Sequence, residues 1–360
     1  MMNKTPTPIS PVEQHKKDLA TIQREINDLQ SKVNLSSVHD KLEDLQSKVS
    51  GLSKRIADFR QKNYIFDTNL EVNAKEFVKK WQPIQANLRV KLNQEANQLK
   101  ADLKPIEQKI SIASSQLNNL AFTRQILDPI KINVTTLSKK VSASESLLRG
   151  LYNSFESDLN KFNKYLLNIE FSVKEFETSN IKFLAHEFLV MGVKCIWTKD
   201  GKKDKDDPEG ILYLSDQRLI FEQKQEVATK KILFITKERE LRQEILVDIP
   251  VRLIETVKTS KQGIFKNQDY FDLIFASGAQ YSNAQFHLQN QDCEDWKALI
   301  NKVQSGDFDK NRIEQVDQEI LDKVKNAPTI CPQCSATINV PILRGMDQIS
   351  CQFCGAIIKL

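Results

Sequence analysis

Four cysteines constrain this 360-residue chain more than any other feature: Cys331-Pro-Gln-Cys334 and Cys351-Gln-Phe-Cys354, sixteen residues apart. Two Cys-x-x-Cys pairs at that separation bring four thiolates within reach of one tetrahedral ion, a spacing that reads as zinc. Four sulfur ligands close the metal's shell and leave no position for water, so the centre is structural and offers no Lewis acid. A segment of roughly thirty residues buries too little apolar surface to fold unaided, so the metal supplies its folding energy. The expectation is one structural Zn2+ per chain; a disulfide pair or a redox centre is the weaker alternative.

The stretch from Thr329 to Leu360 resembles a zinc ribbon, in which each cysteine knuckle ends a β-hairpin, and Gly355 suits the turn after the second knuckle. Between the knuckles lies SATINVPILRGMDQIS, with Arg344 its one basic residue and no aromatic. Nucleic-acid readers usually cluster Lys and Arg with stacking rings. The composition therefore favours protein contact or capping, and leaves nucleic acid as the outlying reading.

Residues 11–180 carry apolar side chains at helical spacing. Leu19, Ile22, Ile26, Leu29 and Val33 step 3-4-3-4, and Leu42, Leu45, Val49, Leu52, Ile56 and Phe59 resume the pattern after a slip near Asn34, Ser36 and Ser37. A second run goes from Phe77 and Trp81 to Leu120, and a third from Val134 to Phe176. Spacing sustained this long predicts coiled-coil packing. Breaks at Asn63–Thr68 and Asp128-Pro129 divide it into three runs of comparable length, which predicts a long antiparallel three-helix bundle. A parallel coiled-coil dimer, and so self-association, is the alternative; Pro83 and Pro105 speak against an unbroken rod, which they would kink.

Residues 181–305 change to short β-type runs: 188–197, 210–214, 218–221, 232–235, 244–249, 251–257, 270–275 and 284–287. An amphipathic helix follows, with Trp296, Leu299, Ile300 and Val303 on one face. About seven strands and one helix is the element order of a pleckstrin-homology (PH)-like barrel. The segment Gly210-Ile-Leu-Tyr-Leu-Ser-Asp-Gln-Arg-Leu-Ile-Phe221 is similar to the GRAM and bacterial PH-like pattern, and Asp248-Ile-Pro-Val-Arg-Leu-Ile-Glu255 to the segment that follows it there. That resemblance implies a barrel over Ala185–Gln304 plugged by Trp296, with lipid or protein as its ligand. The loop Lys199–Pro208 matches four lysines with four aspartates, which leaves little positive field for a phosphate. Lys258, Lys261, Phe265 and Lys266 form the better lipid candidate, a lysine-bearing loop around an apolar ring.

The fold class expected is thus multidomain α + β: a disordered N-terminus (1–10), a helical bundle or coiled coil (11–180), a PH-like barrel with a C-terminal helix (181–305), a helical linker (306–328) and a small zinc ribbon (329–360). Ile313, Val316, Ile320 and Val324 give the linker its apolar stripe. The four histidines are scattered, and no phosphate loop, nucleophile elbow or His-Glu-x-x-His is present, so catalysis is not expected. A net charge of +5 permits acidic partners without demanding them. No apolar stretch approaches the ~20 residues that span a bilayer, and no signal-peptide core is seen. Together these predict a cytoplasmic scaffold working by protein–protein contact, with peripheral attachment to anionic membrane as the alternative and nucleic-acid association as the third reading.

Overall fold

The structure is a computed structural model; it describes residues 10–116, 119–198, 206–232, 235–265 and 267–360, and of residues 120, 227–232 and 235–239 only the backbone. Two compact units emerge. One takes in the described residues up to Ser53 together with Asn73–Phe162; the other takes in Lys54–Val72 and Asn163–Leu360. Among the described residues no helix is long and apolar enough to cross a membrane.

Five helices begin the chain: α1 (Pro11–Lys32), α2 (Ser36–Gln61), α3 (Leu70–Ser115), α4 (Leu120–Gly150) and α5 (Asn153–Glu177). Ser10 and Glu13 form a reciprocal capping box that starts α1. The expected slip after Val33 is a single left-handed residue, Leu35 (φ 53°), between α1 and α2. Within the first unit α3 runs antiparallel to its neighbours. Gln30 bonds Glu107 at 2.6 Å and Trp81 Nε1 donates to Gln46 at 2.8 Å, while Lys140 reaches Asp102 at 2.7 Å. Trp81 is buried and stacks on Phe155, as its place in the apolar stripe predicts.

One sequence expectation fails here. Pro129 does not separate helices: it lies inside α4, and the break falls earlier, where Asn119 accepts the Phe122 amide as N-cap. Pro83 and Pro105 both lie inside the 46-residue α3. A proline removes one hydrogen bond and crowds one carbonyl, and buried neighbours such as Ile106 and Ile130 hold these turns in place by packing.

The second unit is built on a seven-stranded antiparallel sheet: β1 (Leu189–Thr198), β2 (Glu209–Ser215), β3 (Arg218–Ile232), β4 (Ile235–Pro250), β5 (Ile254–Gln262), β6 (Gln268–Phe275) and β7 (Asn283–Leu288), in the order β4-β3-β2-β1-β7-β6-β5. This meander, followed by α6 (Cys293–Gln304), is consistent with a PH-like fold. It is not the closed barrel expected: β4 and β5 end the sheet and pair with no further strand among the described residues. Instead α6 lies against β5, β6 and the 3-10 turn Val251–Leu253, with Trp296 and Ile300 buried. The charged stretch 222–242 hides the middle of a long hairpin, in which β3 and β4 stay paired from Arg218↔Pro250 to Ile232↔Ile235. Of the expected short strand at 232–235, Ile232 and Ile235 pair at the far end of that hairpin, and 233–234 lie outside the described residues.

The turn between α2 and α3 belongs to this unit. Arg60 donates to the carbonyls of Tyr64, Phe66 and Asp67 at 2.7–2.9 Å and pairs with Glu71. Phe66 is fully buried against Phe308, and Thr68 bonds Asn311. The linker is therefore folded, as α7 (Asp307–Lys310) and α8 (Gln318–Lys325).

Candidate metal centre

The two cysteine pairs adopt the same backbone twice. The Cys331 amide donates to Ala336 O, and the Ser335 amide returns to Cys331 O; the Cys351 amide donates to Ala356 O, and the Gly355 amide returns to Cys351 O, all at 2.8–2.9 Å. Ser335 (φ 61°) and Gly355 (φ 73°) take the left-handed turn that lets each pair close. Each knuckle sits on a small hairpin, one held by the Ile330↔Thr337 bridge and the other by β8 (Gln348–Ser350) paired with β9 (Ile357–Lys359).

This folding converges the four sulfur atoms to within 4.8 Å of one another, and none is in a disulfide. Zinc–sulfur bonds of about 2.3 Å in a tetrahedron require sulfur–sulfur edges of about 3.8 Å. Cys331–Cys354 and Cys334–Cys351 stand at 3.7 and 3.6 Å, so the donors fit a four-thiolate zinc site. The amides of Cys354 and Phe353 donate to the Cys351 sulfur and bring its pKa down to about 6. At Cys334 the Ala336 amide acts in the same sense but is outweighed, and crowding by the Cys354 thiol leaves that pKa at about 12. A cation resolves such crowding by taking all four as thiolates.

Sequence reasoning missed what holds this tail in place. The loop between the knuckles carries Arg344 to the β2–β3 turn. There its guanidinium bonds Asp216 at 2.6 Å and Asp309 at 2.7 Å, with Asp216 1% and Arg344 7% exposed at the side chain. The Gln217 side chain reads the backbone of the same residue twice, accepting from Arg344 N (2.5 Å) and donating to Arg344 O (3.1 Å). Arg312 also pairs with Asp216, and its guanidinium lies over the rings of Phe66 and Phe188. Burial raises the Asp216 carboxyl to about 6, against the opposing pull of Arg344, the Phe188 amide and Arg312. Gly345 follows in a left-handed conformation (φ 83°), and a Cβ there would lie 2.2 Å from Ala185 O. Next to Asp216, the Ser-Asp-Gln-Arg turn singled out in the sequence is tied down separately: Arg218 bridges Glu187 and Asp248.

Replacing Arg344 with Met is expected to detach the tail without emptying the metal site. Breaking one partner out of a buried ion pair costs about 3–5 kcal/mol. Faster proteolysis of residues 326–330 at unchanged zinc content would show it; unchanged proteolysis would mean that the loop is held by other contacts.

Of the lipid candidates, Lys258, Lys261 and Phe265 lie among the described residues. Lys258 is exposed on β5, whereas Lys261 pairs with Asp292 at 2.6 Å and Asp269 at 3.4 Å. Phe265 is 85% exposed beside Ile264 at 95%. Lys266 and most of the loop 199–208, through Lys205, lie outside the described residues.

No protein-family model matches the chain, and no curated protein matches it. Solved structures similar to it include the Vps36 N-terminal PH domain, at 12% identity and TM-score 0.24 over 35% of this chain and 84% of that one. Another is a DH/PH fragment of p115-RhoGEF, at 13% identity and TM-score 0.19 over 82% and 95%. A third is the PDZ-RhoGEF DH/PH fragment in complex with human RhoA, at 11% identity and TM-score 0.23 over 83% and 96%. At such scores none of these likenesses adds to what strand order and register establish.

Proposed function

We propose that this chain is a non-enzymatic cytoplasmic adaptor that works by protein–protein contact. The observation that carries the reading is the use made of its most reactive groups. The four thiols converge on a closed centre, and the buried charges around Asp216 and Glu187 are engaged with one another. Such devices hold and present surfaces. The helical unit, whose apolar spacing is that of a coiled coil, supplies length. The GRAM-like sequence pattern in the sheet unit supports a recognition role.

A second reading, peripheral membrane attachment, rests on Ile264 and Phe265 at the β5–β6 tip. Against it, two aspartates already neutralise Lys261. Co-sedimentation with phosphatidylserine vesicles at roughly physiological salt separates the two readings, since each lysine near an anionic surface contributes ~1 kcal/mol. The adaptor reading expects the chain in the supernatant, and a stoichiometric protein recovered with it from its native cell. Salt-sensitive pelleting abolished by replacing Lys258, Lys261 and Lys266 would instead establish the membrane reading.

A further inference from the structure

We propose that the pocket formed by Ala185, Asp216, Gln217 and Asp309 is a recognition site for an apolar-Arg-Gly segment of a partner protein, and that the chain's own Leu343-Arg344-Gly345 occupies it in cis. Three features of the seated segment are read separately. Asp216 and Asp309 each take one terminal nitrogen of the guanidinium, a forked arrangement that lysine cannot reproduce. Gln217 pairs with both the N–H and the C=O of the arginine, which fixes the direction of the incoming backbone. The residue after the arginine must lack a Cβ, because Ala185 O would stand 2.2 Å from it and Ala185 N 2.6 Å. Ahead of the arginine, Leu343 is buried at the edge of a cavity of about 430 Å³ whose other walls include Val251, Leu321 and Val324.

These are the marks of sequence-selective peptide recognition rather than generic packing: charge, backbone polarity and the absence of a side chain are all specified within two residues. A tethered occupant acts at an effective concentration on the order of millimolar. A pocket open in only about one chain in a thousand binds a free segment about a thousandfold more weakly. The wild-type chain is thus closed to weak ligands, and opens to a partner that competes well or when the tail is withdrawn.

The inference rests on the binding-protein reading above, but the two fail separately, because a partner recovered from cells need not use this pocket. The test uses the full chain and a fluorescent peptide of residues 340–348. Gly345→Val keeps all four cysteines and ejects the loop; its zinc content is counted to confirm that the ribbon is intact. This variant is expected to bind the peptide at least tenfold more tightly than wild type. Peptides carrying Arg344→Lys or Gly345→Ala are expected to lose binding, as is the variant when combined with Asp216→Asn. Should Gly345→Val not fold, Arg344→Met, which removes the guanidinium from Asp216 and Asp309 and keeps all four cysteines, withdraws the same loop and is expected to gain the same binding. Failure of every opened form to bind, or equal binding of the altered peptides, overturns the proposal.

Discussion

Replacing Cys334 with serine is expected to abolish metal binding and unfold residues 329–360, while the helical unit and the seven-stranded sheet keep their structure. The asymmetry follows from what each part buries. The tail's core is Cys331, Ile349, Cys351 and Ile358, with a few half-covered neighbours such as Ile342 and Met346. Two of its four buried members are themselves ligands. Structural zinc contributes on the order of 10–16 kcal/mol in segments of this size, far more than two buried isoleucines at about 1.5–3 kcal/mol each. Cys334 and Cys354 are exposed and Cys331 and Cys351 buried, yet all four substitutions should behave alike if they act through the metal. Elemental analysis and proteolysis check this. Protein purified under reducing conditions without zinc, or a Cys334→Ser chain that keeps it, would end the assignment.

Trp296→Ala should be the most damaging single change in the sheet unit. The side chain is fully buried, stacks on Phe271 with ring centroids 6.2 Å apart, and donates from Nε1 to Gln291 at 2.7 Å. Gln291 in turn donates to Gly192 O at 2.9 Å, so the indole anchors α6 to β1 as well as to β6. Truncating a core Trp costs about 3–5 kcal/mol. Because the chain has two units, one melting temperature would blend them. Amide exchange in β6 and β7 reads the sheet's own opening and should accelerate by about a hundredfold or more. Trp296→Phe should recover part of that loss, lacking mainly the Gln291 bond at about 1 kcal/mol. Unchanged exchange in the alanine variant would place the indole outside the core.

Much of this was legible where the signal is local. The cysteine quartet declares itself by spacing, and the residues from Leu42 to Phe59 are buried where their period places them. The sequence misled where one residue type has two uses. Pro129 reads as a helix end, but packing by Leu127 and Ile130 outweighs its missing hydrogen bond, while the real boundary rests on the modest N-cap at Asn119. The charged side chains of residues 222–242 hide a strand pair whose evidence is backbone register. Least legible was the Arg344–Asp216 contact. Its partners are 128 residues apart, and the only hint was that Arg344, the one basic residue of its loop, is followed by glycine.

The turn between α2 and α3 sets a timetable for the growing polypeptide. Phe66 is covered by Phe308, and Thr68 finds its hydrogen-bond acceptor in Asn311, 243 residues later. At 5–20 residues per second, a ribosome takes roughly 12 to 50 s to deliver that partner. Throughout this interval a nascent chain displays Phe66 without the ring that covers it, beside helices that have already formed. Chaperone holding during synthesis, and sensitivity of yield to translation speed, are the cellular consequences of placing the two halves of one core so far apart.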